Sequence, residues 1–505
     1  MQKTWGFYGR NHELTEIEKI ISSDRWFFCA ISGRRRIGKT TLIQKAAQRL
    51  PDGKIFYVQV PDSDERGIVH AFREALEDFE ETWGTKNSVD GLIRSFRDVA
   101  QIIAILNRRR IIVVIDEFQY FHRKTLAPFT SYLQAEVDRL RDTDAGGLFV
   151  LGSIHTEMIA ILDDRASPLF NRVTHKINVG HLDFETLFEL FAEHGVSYPK
   201  HWLFLWSLFE GVPKFYRDCF DQGVLVETDD YRQTTLLQLF FEGASPLRDE
   251  AANWFLRELR GRFDSILKIL ARKGPCSRGQ LKAEYNEVGG GEKAPGAYLK
   301  ILIDEFRMIE KLEPVFSNQK TRRARYVITD NFLSAWLDAI DRNVRMARVQ
   351  PIDKPLARTD FMLAQHEGYV FEKMVRQLTE EASKKGVGDF ALTDLVHGYW
   401  NKADGSDIEI DLVALNDESK IVRFGSCKRS QSGHAAGAIG KFEQHIDRFF
   451  TTKEGQRLAD WRVEKALYAS EFNAETRLKL QRSGYICHDL QDFKNRLFPD
   501  RKIKT

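Results

Sequence analysis

The sequence predicts an α/β protein built from several modules, and three stretches carry that prediction. WFFCAIS at 26–32 is a continuous apolar run of strand type, followed by a Gly-punctuated turn and a helical pattern. IIVVIDE at 111–117 runs apolar residues into two carboxylates, as in a strand buried on both faces whose carboxyl end opens at the ligand edge of a parallel sheet. DIEIDLVAL and KIVRFGSCKRS, with a turn at Asn416 to Ser419 between them, read as a hairpin in the last third. At 505 residues the chain is too long for one core, and roughly two to four domains are expected.

Composition narrows the class. Hydrophobic content of 43% and charged content of 29% fit a globular protein, and a net charge of +2 confines any nucleic-acid surface to a local patch. The five cysteines lie far apart with no CxxC pair, which argues against a disulfide framework or a zinc module and for a reducing compartment. The N-terminal MQKTWGFYGRNHEL lacks an apolar signal core, and no apolar run approaches the roughly 20 residues a bilayer span needs. A cytoplasmic protein without a membrane segment is the expectation.

The turn after the first strand is G-x-x-x-x-G-K-T from Gly33 to Thr40, the P-loop pattern in its strand–turn–helix context. Gly33 and Gly38 let the backbone curl so that N–H groups face phosphates, with Arg34 inside the turn and Thr41 opening the helix. Lys39 is placed to reach the β and γ phosphates, and the Thr40 hydroxyl to ligate Mg²⁺. Asp116 is expected to hold Mg²⁺ through water and Glu117 to orient the attacking water; a helix N-terminal charge is the alternative for Glu117. GLFVLGS at 147–153 is a further strand ending in Ser153, either a γ-phosphate contact or a helix cap for HTEMIAIL. Arg172, in SPLFNRVTHKINVG, is either an arginine acting on phosphate charge in cis or across a subunit boundary, or a surface residue. NKAD at 401–404 mimics a guanine-reading motif but lies in another module and reads as a turn.

In order, FYGRNHEL, ISGRRRIGKTTLI, IIVVIDEFQ, LGS, PLFNR and EGVPKFY resemble archaeal-type P-loop ATPases on the STAND and origin-recognition side of the AAA+ class, over about residues 5–345. The resemblance implies ATP binding by Tyr8, Gly9 and Arg10 near the base and by Lys39, Thr40 and Asp116 at the phosphates. The GxP element Gly211-Val212-Pro213 implies a lid that approaches the nucleotide. Glu210 departs from the pattern, since many relatives carry glycine there.

After this core the chain is helical and aromatic. FDSILKILARKGPCSRGQLKAEYN and AYLKILIDEFRMIEKL then supply three helices ahead of a hairpin, EPVFSNQKTRRARYVITD, which reads as a winged helix. Its wing carries Lys320, Arg322, Arg323 and Arg325, either a DNA-phosphate contact or a solvated loop on a packing module. The run Arg108 to Arg110 reads as a solvated helix end. PIDKPLARTD at 351–360, with two prolines and no periodicity, reads as a linker.

In the last module GYVFEKMVRQLTEEA is an amphipathic helix with Glu372 at the margin of its apolar stripe. A two- or four-residue loop in the hairpin turn pairs Asp411 with Phe424 and Glu409 with Ser426. That places Glu409, Asp411, Ser426 and Lys428 on one face. Two carboxylates and a lysine there suit Mg²⁺-assisted phosphodiester hydrolysis or make a plain ion-pair cluster. GYVFE, W-x(8)-EIDLVA and FGSCK resemble the PD-(D/E)XK nuclease fold over about residues 361–495. The resemblance implies metal binding by Glu372 and Asp411 and assigns Lys428 as the lysine of the motif. Ser426 stands where an acid is expected, with Glu409 across the hairpin as its replacement and Gln444 and His445 as supporting groups.

The fold class expected is therefore an α/β P-loop ATPase core with helical lid and winged helix, followed by an α/β nuclease-like (restriction-endonuclease-like) domain. Its boundaries are 1–182 (core), 183–258 (lid), 259–350 (winged helix), 351–360 (linker) and 361–505 (nuclease-like). Expected cofactors are ATP and Mg²⁺; expected partners are DNA and further copies of the chain. The expected function is ATP-controlled nucleic-acid processing, in the class of defence against foreign DNA. The alternatives are a regulatory ATPase whose last domain only binds DNA or a partner, and a ligand sensor that oligomerises.

Overall fold

The computed structural model describes residues 4–83, 93–144, 146–153, 155–242, 245–248, 262–287, 295–317 and 323–499. It divides into two compact units. One comprises Tyr8–Leu182 with Val212–Lys214. The other comprises Met1–Phe7, Asp183–Gly211 and Phe215–Thr505.

In the first unit helix α1 (Asn11–Ile21) precedes β1 (Phe27–Ser32), α2 (Lys39–Ala47), β2 (Ile55–Gln59), α3 (Glu65–Trp83), α4 (Phe96–Arg108) and β3 (Ile112–Asp116). Then follow α5 (Pro128–Leu140), β4 (Gly147–Gly152), α6 (His155–Leu162) and β5 (His175–Asn178). The strands form one parallel sheet in the order β2-β3-β4-β1-β5. Every residue of β3 and β4 is buried, which is why these strands read as unbroken apolar runs. Their carboxyl ends put Asp116 and Ser153 on the side of the sheet where the turn after β1 opens.

The second unit opens with four helices, α7 (Phe184–His194), α8 (Pro199–Phe209), α9 (Pro213–Asp221, its first turn belonging to the first unit) and α10 (Tyr231–Leu236). Next come α11 (Arg262–Lys273), β6 (Cys276–Ser277), α12 (Arg278–Glu287), α13 (Pro295–Asp304), β7 (Ile309–Leu312) and β8 (Arg325–Ile328). The strands form an antiparallel sheet, β6-β8-β7, the winged-helix arrangement. The third helix of this module is shorter than expected. It ends at Asp304, the left-handed Arg307 (φ 51°) reverses the chain, and Ile309–Leu312 is a strand.

The expected linker is also helix. After α14 (Asn331–Ala335) and α15 (Asp341–Met346), α16 runs from Asp353 to Lys384, 32 residues without a break. Pro355 lies in its first turn, where the missing N–H has no intrahelical partner to lose. Along α16, Thr359 Oγ1 bonds the Pro355 carbonyl, Asp360 and Glu367 receive Arg232, and Glu381 accepts the Phe184 and Glu185 N–H groups that open α7. This helix is the spine of the second unit.

The unit closes with β9 (His397–Trp400), β10 (Glu409–Asn416), β11 (Ile421–Cys427), α17 (Ala436–Phe450), α18 (Lys453–Gln456), β12 (Arg462–Ala469), α19 (Ala474–Arg482), β13 (Ile486–Asp489) and α20 (Leu490–Leu497). The sheet order is β13-β12-β11-β10-β9, antiparallel from β9 to β11 and parallel beyond. Val413, Leu415, Val422 and Phe424 pack with Phe442, Ile446 and Phe449 of α17. All five cysteines are buried free thiols. Among the described residues no helix is long and apolar enough to cross a membrane.

Candidate functional sites

The turn after β1 is made by two left-handed residues and one close approach. Arg36 (φ 67°) and Gly38 (φ 90°) reverse the backbone, which turns successive N–H groups toward one concave side. A Cβ on Gly33 would lie 2.4 Å from the Val179 carbonyl oxygen, so only glycine fits. Lys39 is buried, its Nζ donating to the carbonyls of Gly33 at 2.9 Å and Arg34 at 3.1 Å. Burial pulls its ammonium down to about 8, against the opposing pull of Asp116 and Glu117.

Thr40 Oγ1 donates to Asp116 Oδ2 at 2.6 Å, and the Tyr57 hydroxyl donates to the same oxygen at 2.8 Å. The Glu117 N–H donates to Asp116 Oδ1 at 2.8 Å. Thr40 and Asp116 thus set two hard oxygens side by side, the donor type that Mg²⁺ takes, and these residues would hold it. Glu117 is left-handed (φ 58°), and its carboxylate accepts from Gln119 Nε2. Gln119 also donates to Ser153 Oγ at 3.3 Å and accepts the Ser153 N–H at 3.2 Å. Sequence reasoning missed Gln119 and Tyr57; a buried glutamine two residues past the acidic pair was the available signal.

The other expected nucleotide residues are placed as follows. Tyr8 is buried, and Gly9 (φ 62°) and Arg10 (φ 64°) are both left-handed. Arg10 Nη2 donates to the carbonyls of Ile37 at 3.2 Å and Gly180 at 2.7 Å, tying this segment to the turn. An ideal Cβ on Gly38 would lie 4.0 Å from Pro213 Cγ, so the GxP proline reaches the turn. Thr41 is exposed on α2. Arg172 makes a two-pronged bond to Asp138, at 2.8 and 3.0 Å.

In the C-terminal sheet the hairpin is real, but its register is two residues from the expected one. Leu412 pairs with Gly425, Val413 with Phe424 and Asn416 with Ile421, because residues 417–420 form the loop. The β10–β11 pairing stops at Leu412, and Asp411 fills the end of the hairpin. Its Oδ2 accepts the Cys427 N–H at 2.8 Å and Lys428 Nζ at 3.0 Å, with Ser426 Oγ at 3.5 Å. Burial works against the charge of Lys428, yet Asp411 and Glu372 hold its ammonium above its ordinary value. The stem of Lys428 is packed on the following turn, where a Cβ on Gly433 would come within 2.8 Å of it.

Glu372 of α16 faces this pair. Burial and then the Asp411 charge push its carboxyl up to about 8, against Arg376 and Lys428. Arg376, one turn along, lies 3.6 Å from it. Lys428, Asp411 and Glu372 are therefore brought together as expected.

Glu409 is not brought across from Ser426. A bulge between Ile410 and Val413 breaks the alternation against β9, and Arg325 of the winged helix takes the Glu409 carboxylate at 2.6 Å. His445 Nδ1 sits 2.9 Å from the Glu409 N and 2.6 Å from its carbonyl oxygen, steadying the strand, while Gln444 is exposed. Among the described residues no group of three or more His, Cys, Asp or Glu is arranged to hold a metal ion. Glu372 and Asp411 make a two-carboxylate site at most. Beside it, a cleft of about 450 Å³ begins at Arg429 and is lined further by Lys200, Gln431, Ser470 and Asn473.

Two of the four wing cations, expected either to contact DNA or to lie on a solvated loop, are described. Arg323 pairs with Glu454 at 3.1 Å and Arg325 with Glu409, so neither is a solvated phosphate contact. Lys320 and Arg322 lie outside the described residues.

Residues 7–214 match a family described as an ATPase domain predominantly from Archaea, and residues 336–439 match a family of archaeal and bacterial proteins of unknown function. The chain thus carries an ATPase domain of archaeal type, on a parallel α/β core, ahead of a second α/β domain. It is 25% identical over 430 residues to the uncharacterized protein MJECL04 of Methanocaldococcus jannaschii, covering 84% of this chain and 87% of that one. Among solved structures it is similar to the Walker-type ATPase paby2304 of Pyrococcus abyssi, with TM-score 0.51 and 17% identity over 66% of this chain and 96% of that one. The ORC2 protein of Aeropyrum pernix, in ADPNP–ADP complexes, aligns with TM-score 0.45 and 12% identity over 67% of this chain and 94% of that one.

Proposed function

We propose that the protein is an ATP-hydrolysing switch whose C-terminal module acts on the phosphodiester backbone of nucleic acid. In the first unit Lys39 would bind phosphate, Thr40 and Asp116 would hold Mg²⁺, and Glu117, steadied by Gln119, would orient the attacking water. In the second unit Glu372 and Asp411 would hold a divalent cation, whose chemistry is to polarise the phosphate. Lys428, fully protonated, would stabilise the charge that builds on the phosphate oxygens as water attacks phosphorus and the P–O bond to the leaving oxygen breaks.

The observation that carries this reading is Lys428 on Asp411 at 3.0 Å with Glu372 facing both. One observation favours a second reading, a module that binds nucleic acid without cutting it: the third carboxylate is engaged by Arg325. Plasmid and linear DNA incubated with Mg²⁺ or Mn²⁺ separates the two. Cleavage by the wild type that is lost in Asp411→Ala and Lys428→Ala supports hydrolysis at this site. Cleavage that persists in both variants rejects it, and retention of DNA without cleavage selects the second reading.

A further inference from the structure

Glu409 is a carboxylate near Glu372 that the pair of Asp411 and Lys428 does not use. Ile410 packs into the core beneath α17, so its neighbour Glu409 points to the opposite face of the sheet, where α16 carries Glu372. It is held there by the winged helix. Arg325, the first residue of β8, donates Nη1 to Glu409 at 2.6 Å and Nε to the Ala403 carbonyl at 2.9 Å, and lies 4.4 Å over the Trp400 ring. The loop after β9 closes on the pair. A Cβ on Gly405 (φ 71°) would fall 2.5 Å from Glu409 Oε2 and 2.7 Å from Arg325 Nη2.

Other described residues of the wing bond to the same edge strand. Val315 donates its N–H to the Gly398 carbonyl at 2.9 Å, and Phe316 stacks near Phe449. Trp400 Nε1 donates to the Arg323 carbonyl at 2.6 Å, and the Arg323 side chain pairs with Glu454. Both described arms of the wing thus bond to β9. A wing that reads DNA leaves its cations in solvent; the described part of this wing spends them on the C-terminal domain.

We propose that the wing is a lock on the carboxylate site: Arg325 withholds Glu409, and withdrawal of the wing from β9 releases it as the third oxygen ligand beside Asp411 and Glu372. A two-carboxylate site binds a hard cation weakly, and a third carboxylate raises both charge and ligand number. The lock rests on the reading of Asp411 and Glu372 as a cation site. It accounts for an incomplete ligand set in which Ser426 supplies no carboxylate and Glu409 is held by Arg325.

The test is Mn²⁺ binding, measured by calorimetry on the nucleotide-free full chain with Asp116→Ala throughout, which removes the other cation site. Arg325→Met is expected to bind Mn²⁺ about tenfold or more tightly than its parent, and the gain is expected to vanish in Arg325→Met/Glu409→Gln and in Arg325→Met/Asp411→Asn. The two double variants carry the same wing perturbation, so a general loosening of the fold would not separate them from Arg325→Met. Asp411-dependent Mn²⁺ binding in the parent with no gain in Arg325→Met overturns the lock and leaves the cation site standing. A gain that survives Glu409→Gln also overturns the lock. Absence of Asp411-dependent binding in every variant overturns the lock and the cation site together.

Discussion

Gln119 joins two residues that the sequence treats separately. Its Nε2 bonds the Glu117 carboxylate and Ser153 Oγ, so the group that would orient water and the group at the end of β4 share one buried side chain. Because Gln119 acts through Glu117, it is a positioning residue. Gln119→Leu is expected to lower the kcat of ATP hydrolysis about tenfold while KM stays within about twofold, and Gln119→Glu is not expected to restore it. A parallel rise in KM would mean that Gln119 shapes nucleotide binding instead. Lys39, Thr40 and Asp116 were legible beforehand because their chemistry is written in contiguous residues and one acidic strand end. Tyr57 and Gln119 were not, since each is brought to the site by the lateral order of strands β2, β3 and β4. Asp411 and Lys428 were legible through the hairpin. The fate of Glu409 was not, because a bulge and a residue from another module decide it.

Among the elements, α16 departs most from expectation. Its first turn was read as linker because two prolines lie close together, yet a proline inside the first turn of a helix costs no hydrogen bond. One residue on from Glu372, this helix presents Lys373 to Glu210. Glu210 is buried at φ 48°, ψ −128°, a backbone conformation that favours glycine. Lys373 pairs with the Glu210 carboxylate and also donates to the Thr329 carbonyl and Asn331 Oδ1, both at 3.1 Å. The departure from glycine noted in the sequence is therefore compensated by a lysine far along the chain. Lys373→Met removes the ammonium that pairs with this buried carboxylate and is expected to cost about 3–5 kcal/mol. Adding Glu210→Gly removes both the charge and the backbone strain and is expected to recover most of that loss. Thermal unfolding of the single and double variants measures it, and additive losses would contradict the pairing. The wing cations were read either as a DNA contact or as a basic loop on a packing module, and the two described ones, Arg323 and Arg325, are bonded to Glu454 and Glu409.

Over the whole molecule, the core was expected over 1–182, and one compact unit comprises Tyr8–Leu182 with Val212–Lys214, while Met1–Phe7 group with the other unit. The strands of that unit were legible because strands buried on both faces carry apolar runs and polar ends, which are local signals. The segments expected as lid, winged helix and C-terminal domain group in one compact unit, which α16 runs through. Their joining depends on contacts between residues far apart in sequence, such as Arg232 with Glu367. On the proposed function, the first unit would hydrolyse ATP and its nucleotide state would govern chemistry at Asp411 and Lys428. The most direct measurement is the rate of metal-dependent DNA cleavage with and without ATP, in the wild type and in Lys39→Ala. The account predicts that ATP changes the wild-type rate severalfold and leaves Lys39→Ala, which lacks the phosphate-binding ammonium, unmoved. Equal rates in all four conditions would contradict it.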